Sequence, residues 1–584
     1  MAFTPRIGVY ICHCGINIGA TVDVKAAVEY AAHLPGVVVS RDYTYMCSDP
    51  GQSLIKQDIA ELKLNRVVVA SCSPRMHEPT FRAAVADAGL NPYCFEMANI
   101  REQCSWVHPA GEAATLKAMS LVASAVAKAA RLQPLETRQV PVTPAALVIG
   151  GGVAGMQAAL DIADAGFQVT LVERAPNLGG RAAHLYRTFP TLESAVNLVN
   201  QLIGRVTTHP RIRVMTEAEV AEVGGYVGNF RVRVRPANDE AHVVEVPAGA
   251  IVVATGFEPF DAHRKPEFGY GVYPEVITTP ELERLAASES IRVNGHEPKQ
   301  VVFIQCVGSR DQTLGNPYCS RVCCMVTAKQ AHLVRERLPE AQVTVFYIDV
   351  RAFGKGFEEF YDRVREEGVV YRRGNPSEII RRDGHVAVRA EDTLLGEPVE
   401  IEADLVVLAV GMVPRADTAA VAGLLKLARS ADGFFMEAHP KLRPVDTAMA
   451  GIFLAGCCQG PKDISEAIAQ ARAAASAAMI PLMRGQVPVE AATSFVDEEL
   501  CAGCGQCAQV CAFGALSLHP VRGVMTVNPV LCQGCGACAT ACPSGAINVK
   551  HFTLDQVMAQ IEALTDGRYE MAALVEAWSV THEA

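Results

Sequence analysis

Two cysteine runs near the C-terminal end constrain this chain more than any other feature: Cys501-x2-Cys504-x2-Cys507-x3-Cys511 and Cys532-x2-Cys535-x2-Cys538-x3-Cys542, the second followed by Pro543. Thiolates at this spacing wrap a cubane iron–sulfur cluster, three from one tight loop and the fourth from the opposite run. The expected ligand sets are Cys501, Cys504, Cys507 and Cys542 for one [4Fe-4S] cluster, and Cys532, Cys535, Cys538 and Cys511 for the other. Gly503, Gly505, Gly534 and Gly536 suit backbone that must fold tightly around such a group. Paired zinc knuckles or a disulfide framework are the competing readings. Zinc sites, however, join two CxxC halves across a longer gap instead of putting three cysteines within seven residues. Two adjacent cubanes form a one-electron relay, so a chain carrying them moves electrons.

Length and charge narrow what surrounds the relay. A chain of 584 residues has room for roughly four domains. Its twenty cysteines fall in ligand-like patterns, which points to a reducing compartment, hence the cytoplasm, and away from short secreted disulfide proteins. The opening MAFTPRIGVYICHCG reads as a first strand and not as a signal peptide, and no segment is expected to span a bilayer. A net charge of −11 argues against nucleic acid as a partner.

A second cofactor is announced by residues 146–174, ALVIGGGVAGMQAALDIADAGFQVTLVER, which read as strand, glycine turn, Ala-rich helix and second strand. In Gly150-x-Gly152-x-x-Gly155 the first glycine permits the turn, the second admits a pyrophosphate, and the third lets helix and strand approach. Val153 and Ala154 lie inside this turn, and Glu173, with Arg174 after it, stands eighteen residues beyond Gly155 to meet a ribose hydroxyl. The step Gly179-Gly180-Arg181 favours FAD, with NAD(P) as the rival. Further expected flavin contacts are Ala254, Thr255 and Gly256 in AIVVATGFEP, and Gly456 and Ile464 in GIFLAGCCQGPKDISEAIAQ. There the helix beginning near Asp463 and Ile464 would direct its positive end at the flavin's pyrimidine side. Related flavoproteins usually carry Gly-Asp where this chain has Gly456-Cys457. Cys457 and Cys458 read either as redox-active or ligating groups or as inert buried thiols.

A pyridine-nucleotide domain is expected next, and its first strand QVVFIQC is present. Where its glycine loop should follow, the chain instead runs Cys306-x12-Cys319-x3-Cys323-Cys324. Four ligands within nineteen residues point to a third [4Fe-4S] cluster in place of the nucleotide loop, beside the flavin. In the N-terminal region RIGVYICHC and NRVVVASC read as parallel strands, whose carboxyl edge is where ligands gather. Cys12, Cys14, Cys47 and Cys72 are therefore candidates for a fourth cluster with Cys104 in reserve, the alternative being a scatter of buried thiols. The Ala-rich segment 113–136 reads as a long helix ending at a domain boundary.

The GGGVAG turn, the C-x12-C-x3-CC pattern, DVRAFGKGFEEFY (349–361), the terminal dicluster module and the opening motifs YICHCG, VVVASCSPRMHE and MANIREQCSWVH together resemble the heterodisulfide reductase A family over nearly the whole chain. That resemblance implies an FAD-dependent oxidoreductase subunit of a larger, homodimeric complex, in which flavin-based electron bifurcation or confurcation links ferredoxin to partner subunits. It makes Cys306, Cys319, Cys323 and Cys324 the flavin-proximal cluster and sets Lys329 beside flavin N5. The direct passage from NFRVRVRP to EVPAGAIVVATG marks a compact form without the additional ferredoxin module of longer members. A passive FAD and iron–sulfur scaffold, or an NAD(P)H oxidoreductase like the glutamate synthase small subunit, remain as alternatives.

The expected fold is multidomain α/β: a two-dinucleotide-binding, disulfide-reductase-like core with an N-terminal α/β domain and a C-terminal two-cluster ferredoxin domain. Expected boundaries are 1–140 for the N-terminal domain, 141–296 and 405–490 for the two parts of the FAD domain, and 297–404 for the cluster-bearing, nucleotide-domain-like segment. The ferredoxin domain is expected at 491–550 and a helical tail at 551–584.

Overall fold

Strands Ile7–Cys12 and Arg66–Ser71 are buried at every residue, as their unbroken apolar runs require of central strands in a parallel sheet. They form the middle of a four-stranded parallel sheet, flanked by Val37–Tyr43 beside the first and Phe95–Asn99 beside the second. Helix Glu112–Ala129 covers one face, burying Ala114, Ala118, Val122, Ala125, Val126 and Ala129 at helical spacing. The computed structural model describes residues 4–236, 243–288, 290–382 and 384–565. It divides into two units, one made of the chain up to Gln139 and from Pro488 onward, the other of Val140–Val487.

Within the first unit, the cysteine runs are framed by two antiparallel strand pairs, Ser494–Val496 with Ile547–Val549 and Leu516–Leu518 with Met525–Val527. Short helices Gln506–Gln509 and Ala537–Thr540 repeat at matching positions. Helix Leu554–Thr565 then lies on Glu112–Ala129, with Ala559 and Ala563 meeting Ala127. The rest of the expected helical tail, 566–584, lies outside the described residues.

The second unit contains two five-stranded parallel sheets. In the first the order is Ile452–Leu454, Ala250–Val253, Ala145–Ile149, Gln168–Val172, Ile212–Met215. Helices Val153–Asp164 and Ile464–Arg484 pack on it through alanines that allow close approach, among them Ala158, Ala159, Ala471, Ala474 and Ala475. The hairpin Asn229–Pro236 with Val244–Ala248, joined to Ala218–Tyr226, stands at the point where longer relatives are expected to carry another module.

The second sheet runs Val276–Thr278, Leu405–Val410, Gln300–Val307, Gln342–Tyr347, Val370–Arg373. This alters the expected boundaries. Leu405–Val410, expected to begin the return to the FAD domain, pairs with Gln300–Val307 and Val276–Thr278 and so belongs to the second sheet. Val276–Thr278 and helix Thr279–Ala287 likewise move out of the first FAD segment. Exit and return are joined where Glu258–Pro259 pairs antiparallel with Met412–Val413. An apolar strand alone does not reveal which of two parallel sheets it joins, because both bury both faces. Among the described residues no helix is long and apolar enough to cross a membrane.

Candidate cofactor sites

The glycine turn has the shape that a dinucleotide pyrophosphate needs. Gly150 has φ 110°, and a Cβ there would lie 2.3 Å from the Ala254 carbonyl oxygen. A Cβ on Gly155 would lie 1.8 Å from the Gly150 carbonyl oxygen, so the helix can start this close to the strand only with glycine. Gly152 differs: a Cβ there would meet nothing nearer than Gly180 Cα at 4.0 Å, which leaves open space at the mouth of the turn. Val153 and Ala154 lie in the first turn of helix Val153–Asp164, where helix-start N–H groups are available to an anionic group at that mouth. Glu173, just past its strand, accepts from Gly151 N at 2.6 Å and Ala175 N at 2.8 Å. Arg174 pairs with Asp417 at the surface, and Arg181 is exposed. Thr255 and Gly256 lie at the end of the neighbouring strand, where Gly256 (φ 77°) has no atom within 4 Å of a Cβ position. Gly456, at φ 74°, packs against Ala154 and donates its N–H to Gln470 Oε1 at 2.8 Å.

Cys457 is half-buried and Cys458 buried, and both thiols have backbone carbonyl partners. Cys457 Sγ donates to Lys462 O and Cys458 Sγ to Val253 O, and burial pushes the thiols up to about 11 and about 12 respectively. Thiols so raised are poor nucleophiles at neutral pH.

Cys306, at φ 61°, lies near the end of strand Gln300–Val307, inside a break of register between Ile304 and Val307. Cys306, Cys323 and Cys324 form one buried group with Ala409 beneath them. The Cys323 thiol holds Cys324 down, to about 7, against the effect of its burial, and the Arg351 N–H at 3.4 Å adds to this. Arg310, paired with Asp349 at 2.6 Å, brings positive charge to the same place. Cys319 accepts from Arg321 N at 3.2 Å. Arg321 in turn reaches Glu466 Oε1 at 2.5 Å and Pro461 O at 3.4 Å, at the N-terminus of helix Ile464–Arg484 that is capped by Asp463. Lys329 lies on helix Cys323–Arg337, but is not a surface residue. Its ammonium is 1% exposed, 2.5 Å from Glu283 Oε1 and 2.9 Å from the Arg187 carbonyl, in the loop that follows Gly179-Gly180-Arg181.

In the terminal module a cavity is lined by Cys501, Cys504 and Cys507 together with Cys542 from the other run. Among the described residues no three His, Cys, Asp or Glu side chains converge closely enough to hold one metal ion. Three cysteines from one run and one from the other around a single cavity are the donor set that a cubane cluster takes. In the second set Cys532 and Cys538 are buried, Cys535 is exposed, and Cys511 packs into the apolar cluster that contains Cys538.

The family model described as pyridine nucleotide-disulphide oxidoreductase matches residues 144–478, and the 4Fe-4S dicluster domain matches 500–546. An A-type iron-sulfur subunit of CoB--CoM heterodisulfide reductase from Methanopyrus kandleri is 49% identical over 598 aligned positions, covering 88% of this chain and 91% of that protein. The A-type subunit of H(2):CoB-CoM heterodisulfide,ferredoxin reductase from Methanothermobacter thermautotrophicus is 47% identical, covering 96% of this chain and 97% of that protein. The chain belongs to the heterodisulfide reductase A family. It is an oxidoreductase with a flavin-binding core and an iron–sulfur dicluster domain.

In this family member the N-terminal cysteines are also drawn together. Cys12 Sγ accepts from Cys14 N at 3.2 Å and Met46 N at 3.4 Å, which brings the Cys47 loop over the end of the first strand. Arg101 Nη1 donates to Cys14 Sγ at 3.3 Å, and its charge opposes the burial that pushes Cys72 up to about 11. Cys104 is not part of this group, since its thiol donates to Ala114 O at 3.1 Å inside the core. Residues of these sites that were missed from the sequence include Arg101, Glu283, Arg321 and Ser494, the last bonded to Cys538.

Proposed function

We propose that this chain is the FAD-bearing electron-transfer subunit of a heterodisulfide-reductase-like complex and the site of its electron bifurcation or confurcation, with ferredoxin and other subunits as partners and a second copy of itself in the assembly. The observation that supports this reading is the contact of the Cys319–Cys324 segment with the N-terminus of helix Ile464–Arg484 through Arg321, since a cluster held by that segment would stand against the expected flavin site. FAD, when bound, takes up electrons in pairs and gives them up singly. Gly150, Gly152 and Gly155 would receive its pyrophosphate, Glu173 its ribose, and the helix start at Ile464 its pyrimidine edge. Cys306, Cys319, Cys323 and Cys324 would hold the adjacent [4Fe-4S] cluster, the two terminal cysteine sets two more, and Cys12, Cys14, Cys47 and Cys72 a fourth.

Lys329 is assigned the hydrogen bond to flavin N5. Support comes from its reach to Arg187, in the loop following the Gly179-Gly180-Arg181 step, and from Glu283, which keeps the ammonium in place while leaving one of its three N–H groups free. The Cys306 loop, standing where a nucleotide phosphate loop is expected, counts against a direct NAD(P)H role, and a cytoplasmic setting suits thiolate ligands.

The test is coupling in the purified complex. One exergonic and one endergonic reduction in fixed stoichiometry supports bifurcation, while uncoupled transfer through the same carriers reduces the chain to a passive scaffold. Bleaching of the flavin in the isolated chain by NADH or NADPH overturns both in favour of a nicotinamide oxidoreductase. Lys329→Ala with unchanged flavin redox behaviour and unchanged turnover removes the assignment of Lys329.

A further inference from the structure

The two cysteine runs of the dicluster domain are related by an internal repeat. Ser494 stands seven residues before Cys501, and Met525 seven before Cys532. The backbone follows the repeat closely: Met525 N donates to Cys501 Sγ at 3.4 Å, and Ser494 N donates to Cys532 Sγ at 3.4 Å. The side chains break it. Ser494 Oγ lies 3.2 Å from Cys538 Sγ and 3.7 Å from Cys532 Sγ, in a residue only 4% exposed, whereas Met525 carries no hydroxyl. Met525, standing where the repeat has Ser494, therefore offers no hydroxyl to Cys507, the counterpart of Cys538. The first set has a hydroxyl neighbour of its own, Ser544 at 3.6 Å from Cys542, but Ser544 is exposed, so water competes with it.

A thiolate bound to iron has no proton, so the buried Ser494 hydroxyl must donate. Hydrogen bonds to ligand sulfur remove electron density from a cluster and favour its reduced state. We propose that Ser494 is a potential-setting residue for the Cys511/Cys532/Cys535/Cys538 cluster, raising its midpoint potential without affecting the cluster at Cys501/Cys504/Cys507/Cys542. It makes two clusters with the same ligand pattern inequivalent, which gives the relay a preferred resting place for an electron. This rests on the reading that both cysteine sets hold [4Fe-4S] clusters.

The experiment is an anaerobic redox titration of the full chain, followed by electron paramagnetic resonance, for parent, Ser494→Ala and Ser494→Thr proteins. In Ser494→Ala one cluster signal is expected to move to a more negative midpoint while the others stay, and Ser494→Thr should restore the parent value. Unmoved midpoints, equal shifts of both dicluster signals, or failure of Thr to restore the value overturn the proposal. Iron content and integrated signal of the parent are measured on the same samples. Absence of dicluster signals there overturns the cluster reading itself, which is a different failure from loaded clusters with unmoved midpoints. If Ser494→Ala does not load, Met525→Ser gives the reciprocal test: a positive shift of the first cluster supports the role of the hydroxyl, and no shift overturns it.

Discussion

Lys329 Nζ lies 2.5 Å from Glu283 Oε1, with the two side chains 1% and 2% exposed. Glu283 is fully engaged, taking Gln330 Nε2 at 2.6 Å on the same oxygen and the Tyr186 N–H at 3.0 Å on the other. Burial holds the Lys329 ammonium below its ordinary range, and the Glu283 charge opposes that shift. Removing one partner of such a pair strands the other charge. Glu283→Ala is therefore expected to destabilise the protein by about 3 kcal/mol or more, and the double variant Glu283→Gln/Lys329→Met by less than the sum of its single changes. Chemical denaturation of the parent, Glu283→Ala, Glu283→Gln, Lys329→Met and the double variant measures both.

The flavin turn allows two glycines to be told apart. Gly152→Ala adds a methyl group where nothing lies nearer than 4.0 Å, so the protein should fold normally and lose FAD affinity, because that space is where a pyrophosphate would sit. Gly155→Ala brings a Cβ to 1.8 Å from a carbonyl oxygen and should lower the melting temperature as well as the flavin content. Flavin absorbance per chain and thermal melting separate the two outcomes.

Cys72→Ser should lower iron and acid-labile sulfide by about four atoms each per chain relative to the parent, from about sixteen iron atoms for four cubanes. Cys104→Ser should leave both unchanged, since Cys104 is bonded to Ala114 O in the core and not to the group around Cys14.

Within the first unit Glu96 is held by Lys128 at 2.8 Å and His551 at 3.4 Å, with Lys128 also 3.9 Å from the centre of the Phe552 ring. Burial alone would push the Glu96 carboxyl up, but the hydrogen bond from His551 and the Lys128 charge bring it below the usual value. A carboxyl depressed in the folded state contributes stability above its unfolded pKa and loses it as pH falls through the folded one. The packing of helix Leu554–Thr565 on Glu112–Ala129 should therefore weaken on acidification below the ordinary carboxylate range. Hydrogen exchange in Leu554–Thr565 measures this, and Glu96→Gln should flatten the pH dependence while raising exchange at neutral pH.

The elements legible in the sequence were those closed over short stretches of chain. Cys501 to Cys507, Gly150 to Gly155 and Cys319 to Cys324 each lie within seven residues, so spacing and glycine content alone constrain the local backbone. The helices at Val153 and Glu112 follow from their Ala-rich composition and apolar spacing in the same way. Less legible was the extent of the second sheet. Leu405–Val410 reads equally well as a strand of either sheet, and its place depends on register with Gln300–Val307, about a hundred residues earlier.

By itself the sequence determined the two cofactor classes, because thiolate spacing and a glycine turn are local chemistry that no tertiary arrangement can supply or remove. Only the tertiary structure decided what those groups stand beside: Ser494 against Cys538, Arg101 against Cys14, and Glu283 against Lys329. Each of these pairs joins residues more than forty positions apart. Such contacts exist because burial leaves a hydroxyl, a guanidinium or a carboxylate no water to turn to, and the fold alone sets which partner is within reach.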